Sequence, residues 1–129
     1  MKQKEIRVVK VSVDGTFEEK VIKNDLDTLY KEIECRFIDV AVRQIGNKEF
    51  DLVVDDEGLL KENPICTCVS LHYRWAKPQL VGNVIICNHN EEGEFTSLTK
   101  EEVEMIMNEK IEGIDLPTYS PNVLCLGGF

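Results

Sequence analysis

The sequence predicts an α+β fold, mainly antiparallel sheet with two or three helices, in a single domain spanning residues 1–129. Three observations carry that prediction. β-Branched runs such as Ile6, Val8, Val9, Val11 and Val13 recur along the chain. Turn pairs, Asp14-Gly15 and Gly46-Asn47, separate them at hairpin spacing. Helix signals, in contrast, are confined to a few short stretches. The length of 129 residues is that of one ordinary domain.

The elements follow in order. Residues 6–13 form a strand that turns at Asp14-Gly15 into a second, containing Phe17, Val21 and Ile22. Asn24-Asp25 starts a helix to about Glu34, because Leu26, Leu29, Tyr30 and Ile33 share one helical face. Phe37 to Ile45 reads as a strand, and Phe50 to Val54 closes its hairpin before the acidic turn Asp55-Asp56-Glu57-Gly58. Asn63-Pro64 breaks the chain. Ile65 to Trp75 reads as a helix with Ile65, Val69, His72 and Tyr73 on one stripe, and Pro78 ends it. Leu80 to Cys87 is the most strand-like segment, with Gly82 marking a bulge or a close backbone approach. Thr99 and Glu102 make a capping box for a helix from about Lys100 to Glu109, with Leu98 and Val103 placed as a hydrophobic staple. Residues 116–129 read as an irregular apolar tail.

Composition excludes several function classes. With 43% hydrophobic and 30% charged residues the chain is neither disordered nor fibrous. It has no apolar run long enough for a membrane helix, and Met1-Lys-Gln-Lys-Glu opens no signal peptide, so a cytoplasmic location is expected. Net charge is −9, unevenly spread. Residues 1–48 balance at +1, with ten basic and nine acidic side chains, whereas residues 49–129 carry five basic and fifteen acidic ones, a balance of −10. Such a half repels phosphate backbones, which argues against direct DNA or RNA binding and toward a basic protein partner. Candidate partner-binding residues are Asp55, Asp56 and Glu57 in the first acidic cluster and Glu91, Glu92 and Glu94 in the second.

Three other groups of residues are chemically notable. Cys66-x-Cys68 and Cys87-x-His89 present thiolate and imidazole types that zinc prefers. Structural zinc sites more often space such ligands by about two to four residues, and buried cysteine is a common small apolar residue, so no metal or cofactor is expected. The five cysteines are expected as reduced thiols. His72, Tyr73, Arg74, Trp75 and Lys77 form the one compact aromatic and basic set, an alternative site for a small nucleotide-like signal. No phosphate-binding glycine loop, His-Glu-x-x-His or nucleophile motif occurs, so the chain is not expected to be an enzyme.

From Leu52 to about Ile106 a run of motifs recurs in a familiar order. Val54-Asp-Asp-Glu-Gly-Leu-Leu precedes Asn63-Pro-Ile, followed by Leu80-Val-Gly-Asn-Val-Ile-Ile, a Gly93-Glu turn and Ser97-Leu-Thr-Lys-Glu-Glu-Val. This order resembles a small domain family of unknown function carried by phages, plasmids and conjugative elements of Gram-positive bacteria. That family often carries an acid after the Val-Gly pair, where this chain has Asn83, so no acid role carries over there. The resemblance brings no catalytic residues with it. The acidic half points to a non-enzymatic accessory protein, an anti-defence inhibitor of a basic, nucleic-acid-handling host protein, and the resemblance is neutral between this reading and the nucleotide-sequestering one. The alternatives are a protein that sequesters a small nucleotide-like signal, or a structural homo-oligomeric accessory protein.

Overall fold

Two sheets form the protein in the computed structural model, which describes residues 3–72 and 75–127, and only the backbone of His72, Trp75 and Ala76. The first sheet begins with a hairpin, β1 (Glu5–Val11) and β2 (Phe17–Lys23), reversed through Asp14-Gly15. Asp25 then caps α1 (Leu26–Ile33) by accepting the Thr28 N–H, and Glu34 ends the helix in the left-handed region. Leu29 and Ile33 are buried, while Leu26 is 55% exposed and lies off the packed stripe. The second hairpin joins β3 (Ile38–Ile45) to β4 (Lys48–Asp55) through Gly46-Asn47.

A 3₁₀ turn (Gly58–Leu60) leads to the second sheet, where β5 (Cys66–His72) pairs antiparallel with β6 (Trp75–Val81). The chain then returns to the first sheet as β7 (Val84–His89) and the short β8 (Phe95–Thr96). After α2 (Lys100–Met107), β9 (Lys110–Glu112) and β10 (Tyr119–Leu126) complete the second sheet. Strand order is β2-β1-β7-β4-β3 in the first sheet, with β8 on the end of β7, and β6-β5-β10-β9 in the second. Among the described residues all strand pairings are antiparallel except β5 with β10, and two α-helices are present, so the fold is broadly α+β and mostly β.

Strand alternation divides the core. Along β4, Phe50, Leu52 and Val54 face the second sheet and α2, joining Val9, Val11, Ile86, Cys68, Leu124, Leu126, Val103 and Ile106. Val53 faces α1 instead, beside Ile6, Val8, Ile85, Cys87, Leu29 and Ile33. β7 is covered on both faces, so Val84 to Cys87 is a continuous buried apolar run. A smaller cluster of Cys66, Val69 and Val123 covers the outer side of the second sheet. Among the described residues no helix is long and apolar enough to cross a membrane.

Three expectations are corrected. Residues 65–75 are not a third helix: Cys66–His72 is strand β5. Register shifts on both sides of Cys68 put Cys66 and Val69 in one cluster and Cys68 in another, which erases the two-residue period and mimics a helical stripe. Residues 80–87 are not one strand. The chain leaves the second sheet at Val81, turns through Gly82 at φ 80°, and enters the first at Val84. Asn83 secures that crossing: its Oδ1 accepts the Val13 N–H at 2.9 Å and its Nδ2 donates to Glu34 Oε2 at 2.8 Å. The tail is not irregular either, because β10 is an inner strand with Val123, Leu124 and Leu126 buried.

The capping box forms as expected. Thr99 Oγ1 accepts the Glu102 N–H at 3.2 Å and Glu102 Oε1 accepts the Thr99 N–H at 2.8 Å. Leu98 and Val103 are both buried in the main core. Thr99→Ala therefore lowers stability by about 1 kcal/mol. The urea midpoint measures it, and an unchanged midpoint removes the cap's contribution.

Candidate functional site

β7 and β4 are paired from Val53 opposite Ile85 to Asp51 opposite Cys87, and there they part. Beyond that point Asn88 and His89 pair with β8, while Lys48 to Phe50 stay with β3. The divergence leaves a half-open cleft of about 380 Å³. Val42 and Phe50 supply its apolar wall, and Lys48, Glu49, Asp51, Asn88, His89 and Thr96 its polar one.

Two hydrogen-bonded sets meet at this cleft. Asp51, its side chain 5% exposed, lies 3.0 Å by each oxygen from Nδ1 of the half-exposed His89. A carboxylate holding Nδ1 fixes the ring's orientation and leaves Nε2 as the outward hydrogen-bonding atom. On the other sheet face, Glu102 reaches up from α2 to Lys48 and accepts from Asn88 Nδ2 at 2.9 Å. Burial works to raise the Glu102 pKa, but hydrogen bonds from Lys48, the Thr99 backbone and Asn88 outweigh it and hold the carboxyl below its ordinary value. The Lys48 ammonium also sits 5.5 Å from the centre of the Phe50 ring. Cys87 is next to Asp51 in register but offers no nucleophile, because burial, and then the Asp51 charge, push its thiol pKa up. The arrangement suits recognition by charge and hydrogen bonds.

The two acidic clusters lie apart. The Asn90–Gly93 turn follows β7 at the cleft end, with Glu91 and Glu92 exposed and Glu94 half-buried. Asn90 organises it, its Oδ1 accepting the N–H groups of Glu92 and Glu94 at 3.0 Å each. Asp55, Asp56 and Glu57 stand at the other end of β4, on the order of 20 Å away by strand rise. Much of the charge there is compensated internally. Asp55 is buried with Lys61 at 2.5 Å, and Glu57 pairs with Arg36 at 2.9 Å. Asp56 is exposed.

The cysteine pairs do not converge. Cys66 belongs to the outer cluster, Cys68 to the main core and Cys87 to the α1 side, while His89 turns to Asp51. Burial pushes the Cys68 thiol up to about 12. Among the described residues no three His, Cys, Asp or Glu side chains stand together as a metal group. The aromatic and basic set falls at the β5–β6 hairpin, where His72 pairs with Trp75 and the exposed Lys77 lies opposite Ser70. Tyr73 and Arg74 lie outside the described residues.

Sequence reasoning singled out His89 but missed Lys48, Asn88, Thr96 and Glu102 as cleft residues. The one local signal was the alternate spacing of Cys87 and His89, which puts both on one strand face. Which carboxylate faces them depends on the β4–β7 register.

The profile of the family described as Domain of unknown function (DUF3846) matches residues 6–111. The match begins in β1 and ends within β9, taking in the whole cleft and leaving β10 outside. No curated protein and no solved structure matches the chain.

Proposed function

We propose that this chain, which belongs to the DUF3846 family of domains of unknown function, is a protein-binding inhibitor and not an enzyme. Its partner in this reading is a basic, nucleic-acid-handling protein in the cytoplasm of a bacterial host, and its carrier a phage, plasmid or conjugative element. The observation that supports it is the meeting of the cleft with the Glu91–Glu94 turn at one end of the first sheet. An arginine or lysine stem fits against Val42 and Phe50, with its charge toward Glu49 and Asp51. The acidic turn adds long-range attraction that speeds encounter with a basic surface. The Asp55–Glu57 turn contributes less, since Lys61 and Arg36 already answer two of its carboxylates.

The test reverses charge at each end. A Glu91→Lys, Glu92→Lys, Glu94→Lys protein should lose at least about tenfold in a host defence-inhibition assay, and Asp56→Lys much less. Where the partner is in hand, association should slow steeply as salt passes about 0.1 M, where the screening length is about 10 Å. Full inhibition by the triple variant, with loss only in an Arg74→Ala, Trp75→Ala protein, would instead select sequestration of a nucleotide-like signal.

A further inference from the structure

β3 is an edge strand of the first sheet, and its outer side is open over most of its length among the described residues. Which backbone groups face outward follows from two hydrogen bonds. The Asp56 N–H donates to Phe37 O, so odd-numbered residues of β3 point toward β4. On the opposite side Gly127 N–H donates to Gln44 O at 2.8 Å, so even-numbered residues point outward. Val40 and Val42 are thus the outward pair. Neighbouring side chains hold two of their four outward groups: Val40 N–H donates to Asp39 Oδ1 at 2.9 Å, and Val42 O accepts from the Arg43 guanidinium at 3.0 Å. The two valines are 39% and 47% exposed, a large exposure for β-branched residues on a sheet face.

We propose that this edge pairs with the β3 edge of a second copy of the chain, antiparallel, about a two-fold axis at Ala41. The register is fixed by three requirements that only this centre meets together. Val40 falls opposite Val42 of the second copy, and Val42 opposite its Val40, so the outward N–H and C=O groups exchange hydrogen bonds. Those four valines then cover one another on the face that α1 leaves bare. Asp39 falls opposite Arg43 of the second copy in the closely spaced, non-hydrogen-bonded type of pair, where opposite charges attract. Moving the axis to Val40 sets Asp39 against Ala41, and moving it to Val42 sets Asp39 against Ile45 and Arg43 against Ala41, so either shift loses the charge pair. Each Asp39 and Arg43 exchanges its own-strand contact for one across the axis. Because Val42 also lines the cleft, the second copy extends that wall.

Light scattering after size exclusion, on the full chain at tens of micromolar, tests this. The parent should run at about twice 14.8 kDa. Val42→Pro should run as a monomer, since it removes an outward N–H and none of the bonds to β4. Asp39→Arg should also be monomeric, by setting like charges opposite one another, and the exchanged protein Asp39→Arg, Arg43→Asp should dimerise again. Circular dichroism confirms that each variant is folded. A parent of 14.8 kDa at every concentration overturns the proposal. So does a dimer that survives both single variants, or an exchanged protein that stays monomeric.

Discussion

A Leu124→Ala protein should lose about 3 kcal/mol of stability, read from its denaturant midpoint with the slope unchanged. Leu124 is fully buried in the main core, on an inner strand between β5 and β9, so truncation leaves a cavity where two sheets meet. Leu116→Ala, only eight residues earlier but 56% exposed, should change stability by less than about 0.5 kcal/mol. An irregular tail would make the two substitutions equivalent. Equal and small losses would therefore remove β10 from the core. The same reasoning makes the segment after residue 111 necessary to the fold, although the family match ends there.

Glu102→Ala should cost about 2 kcal/mol at neutral pH, the second largest loss expected. Its carboxylate serves the Thr99 N–H, Asn88 and Lys48 from a position 7% exposed. Lys48 is half-exposed and adds the least to that total. The pH dependence has a definite sign. The folded Glu102 pKa lies below its unfolded value, so the unfolded chain takes up the proton first. Its contribution is complete above the unfolded value of about 4.3 and disappears as pH falls through the folded one. Glu32 adds to the same slope: burial raises its pKa, but Lys20 and Lys10 outweigh that and lower it. Urea titrations from pH 7 to pH 3 should show the parent losing stability below about pH 5 and Glu102→Gln losing less. Parallel curves for the two proteins would show that Glu102 supplies none of the slope.

Much of the secondary structure was legible because its causes are local. Asp14-Gly15 and Gly46-Asn47 reverse the chain wherever flanking strands can pair, and both hairpins form around them. Asp25 and Thr99 cap helices through bonds spanning three residues. The segments that misled were those whose surroundings lie far along the chain. Cys66 to Ser70 has buried side chains on both sides and a shifted register, so its two-residue period is lost. Val81 and Val84 look continuous in sequence but belong to different sheets, a division made at Gly82 and fixed by Asn83.

The candidate site divides in the same way. By itself the sequence determined how much charge the second half carries, and it set His89 and Cys87 on one strand face through spacing alone. Only the tertiary structure decided what that charge does. Pairing Asp51 with Cys87 in register brings a buried carboxylate to His89 across 38 residues of chain, and the parting of β4 and β7 just beyond opens the cleft. Lys61 and Arg36 meanwhile meet Asp55 and Glu57, partly neutralising the cluster that was densest in sequence. Local patterns fix backbone conformation because their hydrogen bonds close within a few residues. Charge, in contrast, acts through space, so its partners are set by strand order and register, which no short stretch of sequence contains.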